Sequence, residues 1–110
     1  MYERGKQYLL CNVAGFSHWD GLEVFSQLEP GVELTLVPEP DNPYDPNAVA
    51  FYLAGVKIGY VPRDSNSTIS LLLNFGHADV FRARIAAVYK DKHPEQQVLV
   101  SINVTDAREE

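Results

Sequence analysis

Asp45 follows Tyr44 in the most constrained stretch of the chain, Glu39-Pro40-Asp41-Asn42-Pro43-Tyr44-Asp45-Pro46-Asn47-Ala48. Each proline fixes its own φ and drives the residue before it out of the helical region, so Asn42 and Asp45 are extended or turn-like. A loop this stiff presents a ring and an acid at little entropic cost when something binds. A tyrosine face can stack on a nucleobase, and an ionised carboxylate accepts hydrogen bonds but cannot donate them. The pair suits a partner with a flat face and a free hydroxyl, and repels a terminal phosphate. The same residues also read as a plain connector between strands, with Asp45 bonding its own backbone at Asn47.

Other residues could complete such a site. Asn42 either reads a base edge or buttresses the loop, and Asn47 ties the loop to the next strand. The turn Phe16-Ser17-His18-Trp19-Asp20-Gly21 carries an aromatic pair, His18 and Trp19, able to stack on a terminal base. Trp19 reads equally as a core residue, and His18 as an exposed loop residue. Tyr60 either lines a groove or finishes the core. Arg63 is the candidate phosphate contact, or else a solvated partner of Asp64 or Asp20. Arg82 and Arg84, with Lys90 and Lys92 beyond, form the one basic stretch, which reads as a steering surface or a solvated strand face. Phe75 reads as core, beside Leu71 and Leu72.

Charge limits the partner. The net charge is −6, and residues 1–45 carry all of it, with two bases against eight acids, while residues 46–110 hold seven of each. A protein gripping many duplex phosphates would be basic, so either nucleic acid is not the partner or very few nucleotides are held. Catalytic constellations are absent from the pattern. His18, His77 and His93 fall on separate loops, without the spacing of a zinc site, and no glycine-rich phosphate cradle occurs. The chain reads as a non-enzyme with no cofactor and no metal. Cys11 is the single cysteine and reads as a buried strand residue in a reducing cytoplasm. No apolar run is long enough to span a membrane.

The elements that must position these residues are mostly strands. With 110 residues, 45% of them hydrophobic, the chain suits one domain with a core over 8–104 and polar ends at 1–6 and 107–110 that fray. Strands are expected at 8–16, 32–37, 49–53, 56–61, 79–89 and 97–104. Ala54-Gly55 makes a hairpin turn. Segment 21–28 has helical spacing and stops at Pro30-Gly31. Segment 67–75 is a second helix, capped from Asp64-Ser65-Asn66 and ended by a left-handed Gly76. Six strands and one or two short helices suit a small, bent antiparallel sheet closing towards a barrel.

An NPYDPNA loop, an apolar strand, a tight glycine turn and Ile58-Gly59-Tyr60-Val61-Pro62, in this order and spacing, resemble the HIRAN family. So do Val13-Ala14-Gly15-Phe16 and the helical segment 69–76, and the likeness covers nearly the whole chain. The chain looks like the free-standing bacterial kind, as opposed to the domain at the front of DNA-remodelling ATPases. The resemblance implies an OB-like barrel that captures the 3′ end of single-stranded DNA, with the family's Tyr-Asp pair at Tyr44 and Asp45, in a repair or replication context. A basic residue is common in the family where Arg63 stands. The chain departs from the family's eukaryotic members at Ser17-His18, where they carry Arg-Tyr, and so lacks one phosphate contact.

Two readings follow. In the first, the domain is a non-catalytic module for the 3′-hydroxyl end, with Asp45 on the hydroxyl, Tyr44 and His18/Trp19 about the last bases, and Arg63 on one phosphate. In the second, it kept the barrel, lost the DNA contacts and docks a protein such as an ATPase or nuclease. A small hydrolase would need a metal cluster that the sequence does not contain.

Overall fold

The computed structural model describes residues 5–106 and 108, and contains six strands and one α-helix among them. The strands are β1 (Gly5–Asn12), β2 (Glu33–Pro38), β3 (Val49–Leu53), β4 (Val56–Tyr60), β5 (Phe81–Val88) and β6 (Val98–Thr105), with α1 (Ser67–Asn74) between β4 and β5. They form one antiparallel sheet in the order β1-β6-β5-β2-β3-β4. The expected mainly β fold is therefore observed. The sheet is barrel-like at most, because its hydrogen-bonded ladder is not closed.

The bend comes from β2. Its first two residues, Glu33 and Leu34, pair with Arg84 and Ala83 of β5, and the next four, from Thr35 to Pro38, pair with β3. One strand thus belongs to both halves of the sheet. On the other side the chain leaving β1 crosses from β6 to β4. Val13 N–H donates to the Val98 carbonyl at 2.9 Å, and Ala14 exchanges two bonds with Tyr60 at 2.8 and 2.9 Å. This crossing depends on Gly59, whose φ is +152° and whose absent Cβ would lie 2.6 Å from the Ala14 carbonyl oxygen. Alternation puts Phe81, Ala83 and Ile85 of β5, and Val98, Val100 and Ile102 of β6, into a core shared with Phe16, Phe51, Ile58 and Ile69. Cys11 is buried and unpaired, and burial pushes its thiol up to about 11.

Several expectations are corrected. The first strand ends at Asn12 instead of running to residue 16, because Val13 and Ala14 make the crossing and Gly15 turns with φ +70° into a 3-10 turn, Phe16–His18. Segment 21–28 is helical, but as a 3-10 helix over Asp20–Gln27. Gly5 and Lys6 do not fray, since they pair with Thr105 and Val104; residues 1–4, 107, 109 and 110 lie outside those described. Phe75 is not core. It is 74% exposed, and Leu71, one helical turn before it, is 57% exposed, because α1 turns Ile69 and Ser70 inward and leaves these two on the opposite side. The hairpin turn and the left-handed Gly76 stand where they were expected, with φ +49° at Ala54, +84° at Gly55 and +88° at Gly76.

Candidate nucleic-acid interface

Loop 39–48 is braced from inside. Its ends are joined by Glu39 N–H to the Ala48 carbonyl at 2.8 Å. Asn42 Oδ1 accepts from the amides of Tyr44 and Asp45 at 2.9 and 3.1 Å, and Asn42 Nδ2 donates to Glu39 Oε1 at 3.0 Å. Asn42 is therefore a buttress. With every turn fixed from within, Tyr44 is turned outward and is 85% exposed.

Asp45 sits differently. Its Oδ1 accepts from the Asn47 amide at 2.9 Å, its Oδ2 accepts from Asn66 Nδ2 at 2.9 Å, and Arg63 Nε lies 3.8 Å from Oδ2. Its side chain remains 17% exposed. A carboxylate has about four acceptor positions, so two fixed bonds orient the group and leave acceptor capacity towards solvent. Arg63, whose side chain is 77% exposed, also donates to the Tyr44 carbonyl at 3.2 Å and so bridges the two residues of the pair.

Behind the loop lies a second network. Tyr60 O–H donates to Glu39 Oε1 at 2.9 Å, Lys57 Nζ donates to the Tyr60 oxygen at 3.1 Å, and Lys57 pairs with Glu39 Oε2 at 2.7 Å. The Trp19 ring meets Tyr60 edge-on at 5.7 Å, and the Lys57 ammonium stands 4.2 Å from the Trp19 ring centre. Partial burial works to raise the Glu39 carboxyl, but hydrogen bonds from Lys57, Asn42 and Tyr60 and the Lys57 charge outweigh it and hold it below its usual range. Burial works to lower Lys57, and its bonds to Glu39 and Tyr60 raise it overall. Burial raises the Tyr60 hydroxyl as well, with the bond to Glu39 acting in the same direction.

Two hollows flank Tyr44. One, of about 290 Å³, is lined by Ala14, Trp19, Asn42, Tyr44, Asp45, Ala48, Tyr60, Val61, Arg63 and Asn66. The other, of about 570 Å³, is lined by Trp19, Tyr44, Tyr60, Asn42, Glu39, Asp41, Lys57 and three prolines. Trp19, Asn42, Tyr44 and Tyr60 belong to both and form the wall between them.

The sequence model of the HIRAN domain matches residues 6–105. The chain belongs to the HIRAN domain family. Members of this family are known for DNA recognition. Among solved structures, the chain resembles a protein from Lactobacillus plantarum with TM-score 0.76 and 20% identity, covering 91% of this chain and 94% of that one. It also resembles the HIRAN domain of human HLTF, with TM-score 0.62 and 13% identity over 93% of this chain and 81% of the other. No curated protein matches the sequence.

The HIRAN fold of this chain gathers Trp19, Asn42, Tyr44, Asp45, Tyr60 and Arg63 around the two hollows. His18 stands exposed on the preceding turn and lines neither. Arg63 pairs with Asp45, not with Asp64 or Asp20. The basic stretch is partly neutralised, since Arg82 and Arg84 both reach Glu33 Oε1, at 3.5 and 3.4 Å. Three residues escaped the sequence reading. Asn66 looks like a helix cap in sequence, yet its side chain makes no cap bond and is spent on Asp45. Lys57 lies between Val56 and Ile58 on β4 and looks like an ordinary strand-surface charge. Glu95 accepts from the amides of Gly15 and Phe16 at 2.9 and 3.1 Å and fixes the turn before Trp19, about which a separation of 80 residues gives no signal. No helix among the described residues is long and apolar enough to cross a membrane.

Proposed function

We propose that this HIRAN domain is a non-catalytic module that holds the 3′-hydroxyl end of single-stranded DNA in the smaller hollow, in the setting of DNA repair or replication. The observation that carries this reading is the outward Tyr44 ring beside a carboxylate that is oriented by two donors and still open to solvent. The free acceptor capacity of Asp45 suits a hydroxyl proton. A terminal phosphate brought to the same place would meet a like charge in a half-buried setting. Tyr44 and Trp19 offer faces for the last bases, each worth about 1–3 kcal/mol, and Arg63 is the exposed cation for one internucleotide phosphate. Stacking and one end-specific bond need little positive charge, which reconciles the site with a net charge of −6.

The test is a titration of labelled single strands ending in 3′-hydroxyl or 3′-phosphate against wild type, Asp45→Ala and Tyr44→Ala. Binding of hydroxyl ends by wild type, with loss in both variants, supports the reading. Failure of every oligonucleotide to bind at low salt removes it.

One observation favours a second reading. Leu71 of α1 and Phe75 at its C-terminal cap are exposed apolar residues, and such a pair suits contact with a protein, for example an ATPase or nuclease that this module would accompany. Under this reading oligonucleotides do not bind and a protein partner is lost on Phe75→Ser.

A further inference from the structure

A lysine beside a nucleic-acid cleft is ordinarily taken for a phosphate contact, and Lys57 borders the larger hollow. Its surroundings point elsewhere. The ammonium is 2.7 Å from Glu39 Oε2, and the two side chains are only 17% and 21% exposed. A cation neutralised at contact distance by a half-buried carboxylate has no net charge to offer a phosphate. Pulling it away would leave that carboxylate without its partner. What the ammonium does is hold a ring. It stands 4.2 Å from the Trp19 centroid and 5.1 Å from that of Tyr60, and it donates to the Tyr60 hydroxyl at 3.1 Å. Attraction of a cation to an indole requires that it stand over the ring face, so the contact fixes the tilt of Trp19 as well as its position. Trp19 would otherwise be loosely held, since it is 40% exposed, and it lines both hollows.

We propose that Glu39 and Lys57 are a positioning pair: the ammonium, anchored by Glu39, clamps the Trp19 indole against Tyr60 and sets the stacking wall of the cleft without touching the nucleic acid. The role in binding rests on the reading of the cleft as a site for single-stranded DNA; the clamp itself is a property of the free protein. Trp19 is the one tryptophan of the chain, so its fluorescence reports on this wall alone.

The experiment compares wild type, Lys57→Met, Lys57→Arg and Glu39→Gln. Each is examined for Trp19 emission and acrylamide quenching without DNA, for its thermal melting curve, and for affinity towards a 3′-hydroxyl single strand at several salt concentrations. Lys57→Met is expected to red-shift Trp19 emission and increase its quenching. Binding should weaken about three- to tenfold at every salt concentration, with an unchanged slope of log affinity against log salt. Lys57→Arg should restore both readouts, because a guanidinium also stacks on an indole. Unchanged Trp19 emission and quenching in a folded Lys57→Met protein overturns the proposal. So does a salt slope that falls by about 0.7, the mark of one lost single-strand phosphate contact. If Lys57→Met does not fold, Glu39→Gln removes the anchor with little change of shape and carries the same readouts. If wild type binds no oligonucleotide, the DNA reading of the cleft fails, and the fluorescence comparison still decides the clamp.

Discussion

The side-chain amide of Asn66 donates to Asp45 Oδ2 at 2.9 Å across 21 residues of sequence, from a position that is 2% exposed. Asn66 stands where α1 begins, and its side chain makes no cap bond to the helix. A residue type suited to capping, worth about 1 kcal/mol when it caps, is instead used to orient a carboxylate. Removing it by Asn66→Ala leaves a half-buried acid short of one donor, and the expected loss of stability is about 1–3 kcal/mol. Urea denaturation measures this loss. Asn66→Asp, which sets a second carboxylate against Asp45, should be worse than Asn66→Ala and should partly recover in acid.

Tyr44 gives the opposite pattern. Its ring is 85% exposed and packs on little, so Tyr44→Ala should alter stability by less than about 0.5 kcal/mol. If a base stacks on it, affinity for single strands falls by about 1–3 kcal/mol. The two measurements together separate a binding residue from a structural one.

Gly59 is expected to tolerate no side chain. Its φ of +152° disfavours other residues, and a Cβ would lie 2.6 Å from the Ala14 carbonyl oxygen. Gly59→Ala should therefore cost about 3 kcal/mol or more, read as a fall in the denaturation midpoint. The damage should reach the cleft, since Ala14 lines the smaller hollow and pairs with Tyr60.

The Glu39–Lys57 pair sets a pH window for stability. Glu39 is held below its ordinary value of 4.5 in the fold, so its contribution is complete above that value and is lost as pH falls through the folded value. Lys57 is held above its ordinary value of 10.5, so its contribution is complete below that value and is lost as pH rises through the folded value. Melting temperature against pH should show an acid limb below about pH 4.5, shallower in Glu39→Gln than in wild type.

Much of the fold was legible in the sequence, and the reason is periodicity. Strands β5 and β6 alternate cleanly, as in Phe81, Ala83 and Ile85 against Arg82 and Arg84, and such a pattern fits one face of a sheet only. The proline loop was legible too, because proline acts on its own backbone and needs no partner. What escaped was long-range. The strand expected at 8–16 ends at Asn12, because its end is set by the bridge of Ala14 to Tyr60 and not by local propensity. Phe75 looked like core because an apolar residue closing a helix usually is, and only the packing of α1 shows that its side faces water. Trp19, Tyr60, Arg63 and loop 39–48 each carry a local signal, but Lys57, Asn66 and Glu95, which hold them in place, act through contacts between distant parts of the chain.

The most direct measurement is the ratio of affinities for two otherwise identical single strands, one ending in a 3′-hydroxyl and the other in a 3′-phosphate, for wild type and Asp45→Asn. Wild type should prefer the hydroxyl end by about tenfold or more, and Asp45→Asn, which has the same shape without the charge, should lose most of that preference. Equal affinity of wild type for both ends, or a preference that survives intact in Asp45→Asn, would contradict the role given to Asp45.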